Sequence, residues 1–210
     1  LKIKTDAELS KMRFNVLTSL LRLRQICCHP KLYTKDSSGK SAKLEVLEDR
    51  VEAILDQGSK VLIFSQFVEM LGLIKGVGRK FDWKMWELTG KTEKRGQIVR
   101  DFQEHEGPGV FLISLKAGGA GLNLTAAQYV ILFDPWWNPA VENQAIDRTH
   151  RIGQKNKVVA YRFLAKDSIE QKIRRLQIEK NKLASEVLDE TKFSESLTMD
   201  DFKYIFSNED

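Results

Sequence analysis

The chain has 210 residues, 42% of them hydrophobic and 30% charged, the make-up of a globular protein with room for one main core and an appended helical piece. No apolar run approaches the roughly eighteen residues that a membrane helix needs, which excludes a helical span. The net charge of +5 understates the basic body, because residues 189–210 hold seven acidic side chains against two basic ones; a basic body suits a polyanionic partner, although such a surplus also serves plain solubility.

The opening residues, LKIKTDAELSKMRF, contain neither an initiator Met nor an apolar signal core and read as a cut into a longer chain. Leu17, Leu20, Leu21 and Arg24 then run at helical spacing until Pro30 stops the pattern. The two cysteines, Cys27 and Cys28, stand at that helix end. Adjacent thiols do not form an ordinary structural disulfide with each other, which points to a reducing interior and to small buried side chains. His29 beside them suggests a metal, but zinc needs four spread ligands and His105 and His150 show no matching spacing, so no metal site is expected. The segment TKDSSGKS, 34–41, reads as a flexible link.

From residue 44 to residue 164 short β-branched or aromatic runs alternate with amphipathic stretches. Ser41 is a suitable N-cap for a helix through residue 55, and KVLIF, 60–64, is the first strand. A helix at 67–74, a strand at 83–88 and a helix opened by Thr92, with Ile98, Val99 and Phe102 inward, come next. Residues 107–109 break that helix; strands are expected at 110–114, 129–133 and 158–164, with a helix at 140–149. Asp167 is placed to cap a helix through residue 188, with Glu170 completing a capping box, and residues 191–210 read as a weakly structured acidic tail ending in a short helix capped by Thr198. Five strands joined by helical crossovers imply an α/β fold, a mainly parallel sheet covered by helices on both faces. In such sheets ligand chemistry collects at the carboxyl ends of the strands, here the loops SQF, SLKAGGAG and DPWWNP.

The helix from residue 140 puts Gln144, Arg148 and Arg151 at i, i+4 and i+7, on one face. Spacing alone leaves two readings open: a phosphate clamp, for which the planar, permanently charged guanidinium is suited, or a solvated face with an Asp147–Arg151 ion pair. The GGAG run is either a tight turn or a place where backbone approaches a ligand, and it lacks the GxGxxG spacing of a dinucleotide site.

The stretch 114–154, SLKAGGAGLNLTAAQYVILFDPWWNPAVENQAIDRTHRIGQ, closely resembles the fifth and sixth motifs of SWI/SNF-type ATPases, a branch of superfamily two helicases. The resemblance extends to LRQICCHP at 23–30, KVLIFSQF at 60–67, LTGKTEKRGQIVRDF at 88–102 and YRFLAKDSIEQKI at 161–173. It implies the end of a helical protrusion with a linker over 1–40, a second RecA-like lobe over 41–165, a brace helix over 166–190 and an acidic tail over 191–210. Arg148 and Arg151 match the two arginines that reach across an interlobe cleft to ATP, which is held with its Mg2+ mainly by a first lobe of the same polypeptide. Gln144 matches the motif's leading glutamine, and Gly119 and Gly121 lie in the loop that approaches the nucleotide. The resemblance implies double-stranded DNA as partner, with contacts from Ser65, Gln66, Thr89, Gly90, Ser114, Lys116 and Trp137, mostly to phosphates. Trp136 is assigned to the core, and Asp134 to orienting its loop.

The chain's GKS, 39–41, has Thr34 where the first Gly of a P-loop should stand and follows no strand, so these 210 residues are not expected to hydrolyse ATP alone. A catalytically silent nucleic-acid-binding or regulatory module is the alternative; an RNA or strand-separating helicase would not be expected to carry LRQICCHP or DPWWNP. The short spacing between motifs points to a compact bacterial member, cytoplasmic and DNA-associated (nuclear if eukaryotic), with this piece monomeric.

Overall fold

A helix α1 (Asp6–Cys28), a 3₁₀ turn (Pro30–Leu32) and α2 (Ala42–Asp56) precede the first strand, β1 (Lys60–Ser65). There follow α3 (Val68–Lys80), β2 (Met85–Leu88), α4 (Arg95–Glu104), β3 (Gly109–Ser114), β4 (Tyr129–Leu132), α5 (Pro139–Ile146) and β5 (Val159–Arg162), and then α6 (Ile169–Leu183) and α7 (Met199–Phe206). This is a computed structural model, and it describes residues 6–115, 117, 122–136, 139–147, 149, 157–183 and 197–207. The five strands form one sheet in the order β2-β3-β1-β4-β5, and every pair is parallel. β1 and β3 are buried at each position, as central strands covered on both faces must be.

The period of two along the strands sorts their side chains into two cores. On one face Val61, Ile63, Val110, Leu112, Ile131 and Phe133 pack with Leu47, Val51 and Ile54 of α2 and Met70, Leu71 and Ile74 of α3. On the other Leu62, Phe64, Phe111, Ile113, Val130 and Leu132 meet Phe102 of α4, Ala145 of α5 and Trp136. The inward positions expected on α4 hold: Phe102 is buried, with Ile98 and Val99 packed beside it.

The element ends show where local chemistry decided the boundary. Ser41 caps α2 as expected, its Oγ accepting from Leu44 N at 3.2 Å. α2 ends in a Schellman arrangement: Gly58 N donates to Leu55 O and Ser59 N to Ile54 O, with Gly58 at φ 71°. Thr92 does not open α4, which starts at Arg95; its hydroxyl instead accepts from Thr89 N at 2.9 Å and closes the turn before the helix. Nor does Asp167 cap α6. It sits at φ 52°, and Ser168 meets the first turn, accepting from Glu170 N at 3.2 Å. Glu170 is drawn away from any capping box, because its carboxylate takes Ala165 N at 2.8 Å and Lys43 Nζ at 2.6 Å, deep in the interior.

Outside the sheet a third core joins the two ends of the chain. Leu20 of α1, Ile173 and Leu176 of α6, and Leu197, Phe202 and Ile205 at α7 are buried together. The segment read as a weakly structured tail therefore ends in a docked helix, although its start lies outside the described residues. Thr198 caps α7 as expected, in a reciprocal capping box with Asp201. On α1, Leu20, Arg24 and Cys28 form the buried seam, whereas Leu21 is 43% exposed. Burial pushes both thiols above their ordinary range, Cys28 most. The 34–41 link is tied down: Ser41 Oγ donates to Cys28 O at 2.6 Å.

Candidate nucleotide and nucleic-acid face

The carboxyl ends of four strands bring residues from four loops into one row. Ser65 and Ser114 are register partners. Leu88 pairs with Ile113, which sets Thr89 beside Ser114, and Phe133 N donates to Phe64 O at 3.0 Å, which sets Asp134 beside Ser65. Thr89, Ser114, Ser65 and Asp134 thus follow one another across the sheet edge, all buried.

Asp134 organises this edge. Ser65 Oγ donates to its Oδ1, and Gln66 N donates to its Oδ2 at 3.2 Å. Ser65 Oγ also accepts from Phe67 N at 3.1 Å, so its hydroxyl is committed inside the lobe. Burial pushes the Asp134 carboxyl above its ordinary range, opposed by the Ser65 bond, Arg24, Gln66 N and Lys43. These bonds agree with a loop-orienting role for Asp134. Ser114 Oγ and Gln66 Nε2 are also buried, and among the described residues neither has a hydrogen-bond partner. Thr89 Oγ1 accepts from Lys91 N at 3.4 Å. Gly90 is exposed, and a Cβ added there would meet nothing within 4 Å, so packing in this lobe does not require the glycine.

The turn after β4 leads to α5. Trp136 is buried, with its ring edge-on to Phe64 at 5.9 Å and 82°, in accord with its assignment to the core. The Trp136 backbone N–H donates to Glu142 Oε1 at 3.0 Å, and Glu142 Oε2 takes Arg162 Nε at 2.9 Å and lies 3.7 Å from Arg174 Nη1. α5 begins at Pro139, a position that suits proline, whose ring fixes φ near the helical value. α5 ends at Ile146, earlier than the expected 149, and Thr149 closes the next turn by donating to Ile146 O from both N and Oγ1, at 3.0 and 2.6 Å. Gln144 lies on α5, its side chain outside the described set; Lys116, Gly119, Gly121, Trp137, Arg148 and Arg151 lie outside the described residues altogether.

Sequence reasoning missed a ring of buried polar side chains behind this turn. Arg24, Lys43, Glu142, Glu170 and Gln177 are all buried. Periodicity put Arg24 on the seam of α1 but carried no sign of its partner; Lys43 and Gln177 gave no signal at all.

Comparison with known proteins adds the family. Residues 42–153 match the helicase conserved C-terminal domain. The chain is a helicase C-terminal lobe of the SWI/SNF type. An uncharacterised ATP-dependent helicase of Mycoplasma pneumoniae is 40% identical over 93% of the chain, and a putative ATP-dependent helicase/translocase of Bacillus subtilis is 40% identical over 91%. The chain spans about a fifth of each, 19% and 22%. Among solved structures, the Sulfolobus solfataricus SWI2/SNF2 ATPase core in complex with dsDNA superposes with a TM-score of 0.77 at 30% identity, over 97% of this chain and 43% of that one. The lobe's sheet is the RecA-like one that its sequence implied. The family match runs from α2 to residue 153, so α1 before it and β5, α6 and α7 after it lie outside the matched stretch. No described helix is long and apolar enough to cross a membrane.

Proposed function

We propose that this lobe is the C-terminal half of an ATP-driven translocase on double-stranded DNA, and that it turns ATP over only when joined to a first lobe carrying the P-loop. The observation that supports the reading best is the rooting of α5: Glu142 ties it to the turn after β4, and Asp134 in that turn ties the same backbone to Ser65 and Gln66. One turn thereby links α5, which carries Gln144 and precedes Arg148 and Arg151 in the chain, to loops suited to DNA.

In this reading Mg2+-ATP, held mainly by the first lobe, supplies the phosphoryl group and the driving free energy. Arg148 and Arg151 present fixed positive charge to the phosphate as charge develops on it, with Gln144 and the backbone at Gly119 and Gly121 alongside. DNA is held through its phosphates, without sequence readout, by Gln66, Gly90, Ser114 and Lys116, while the ring of Trp137 meets the groove of the duplex. Ser65 and Thr89 serve mainly by shaping their turns, since the Ser65 hydroxyl is engaged internally and Thr89 closes the turn that leaves Gly90 open. The lobe's basic body suits the same partner.

The test is ATP turnover with and without duplex DNA. The full-length protein should show DNA-stimulated turnover and the 210-residue lobe none. Arg151→Ala in the full-length protein should lower turnover by about 10³-fold or more, the scale of a lost arginine finger, with duplex affinity retained. Full turnover in that variant returns Arg151 to a solvated ion-pair face. A full-length protein that binds duplex but never hydrolyses ATP points to a silent binding module.

A further inference from the structure

The turn of residues 133–136 touches both working parts of the face, through Asp134 to Ser65 and Gln66 and through Trp136 N to Glu142 on α5. What holds the turn comes from three helices beyond the sheet. Lys43 Nζ of α2 donates to Phe133 O at 3.3 Å, Arg24 of α1 donates to Pro135 O, and Gln177 Nε2 of α6 donates to Trp136 O at 2.7 Å. The carbonyls on either side of Asp134 and the one that follows thus each take a side-chain donor, from residues 90, 111 and 41 positions away. Arg24 and Gln177 are each 1% exposed.

Burying long polar side chains is costly unless their ends are met, and apolar residues of similar volume fill space at least as well. Three such donors converging on three of the four carbonyls of one turn therefore do more than fill space. A held carbonyl fixes its peptide plane, and the planes at 133–136 set both the direction of the Asp134 carboxylate and the exit of the chain into α5. α1 and α6 also share the third core with α7, so a displacement of this helical layer reaches the turn through Arg24 and Gln177 together.

We infer that Arg24, Lys43 and Gln177 are positioning residues that clamp the 133–136 turn and thereby couple the DNA-facing loops to α5, the helix that leads the chain to Arg148 and Arg151. The inference rests on the ATP-driven reading above. It assigns the flanking helices a part in the rate of turnover, separate from the binding of either ligand.

The test uses the full-length protein and separates kcat from the binding constants. Gln177→Met removes one of the three donors at nearly unchanged volume; Arg24→Met removes a second, and Arg24→Lys keeps a charged donor. Both Met variants should lower DNA-stimulated kcat by about 10- to 100-fold, the scale at which small misplacements act, with the KM for ATP and the duplex affinity within about twofold of wild type. Arg24→Lys should recover most of the loss. Should Arg24→Met fail to fold, Gln177→Met carries the test, since it exchanges one uncharged side chain for another. A Gln177→Met protein with wild-type kcat overturns the inference and leaves the ATP-driven reading intact, as does a loss confined to the melting temperature. A wild-type protein with no DNA-stimulated turnover overturns both.

Discussion

At the scale of single residues the lobe is specified by close contacts that leave little tolerance. Gly109 opens β3, and a Cβ placed on it would lie 2.5 Å from Trp86 Cζ3 and 3.2 Å from Cη2. Trp86 is itself wedged edge-on to Phe102 at 5.2 Å and against His105 at 5.0 Å, so it has little freedom to move aside. Gly109→Ala should therefore lower stability by about 1–3 kcal/mol, the usual cost of overpacking, read as a lower urea midpoint at unchanged slope; an unchanged midpoint would mean that the indole relocates. The sequence showed Gly109 as a helix breaker, whereas its contact with Trp86 arises from the β2–β3 pairing. The same limit applied to the face. Ser65, Ser114 and Asp134 were legible because strand ends in a parallel sheet are where sites form, and Thr89 through the family resemblance, but the commitment of the Ser65 hydroxyl to Asp134, 69 residues away, was not.

At the scale of elements, boundaries followed whichever polar group had the nearest partner. Ser41 and Thr198 cap as their sequences suggest, because nothing else competes for their hydroxyls' acceptor role at those helix starts. Thr92 and Asp167 do not, because a turn claims the first and a left-handed backbone displaces the second. α7 is short, 8 residues, too short to persist alone, so it depends on its cap and on the burial of Phe202 and Ile205. Thr198→Ala should weaken it by about 1 kcal/mol. Amide hydrogen exchange should then quicken across 199–206 while β1 and β3 stay protected; equal quickening in the sheet would show that α7 and the sheet open as one unit.

At the scale of the whole molecule, the sheet domain and its helical layer are joined by a buried ion pair. Lys43 on α2 and Glu170 on α6 meet at 2.6 Å, the carboxylate fully buried and the lysine 7% exposed. Lys43 also reaches Phe133 O, and Glu170 also takes Ala165 N. Lys43→Met would leave Glu170 buried without its cation, and loss of about 3–5 kcal/mol is expected for a pair broken on one side. Equilibrium denaturation measures it; a loss below 1 kcal/mol would mean that water reaches the carboxylate. Removing both charges together should cost less, since no uncompensated ion then remains.

The sequence by itself determined the sheet, the crossovers and the family, because β-branched runs, helical periodicity and the motif run 114–154 are local patterns. It also placed Trp136 inside and the candidate residues at strand ends. Only the tertiary structure decided which polar side chains meet. Arg24 reaches Pro135 across 111 residues and Lys43 reaches Glu170 across 127, distances at which periodicity says a side chain is buried but not what it must satisfy there. It likewise turned the end of the acidic segment into a docked helix, because the apolar stripe of α7 finds its complement on α1 and α6.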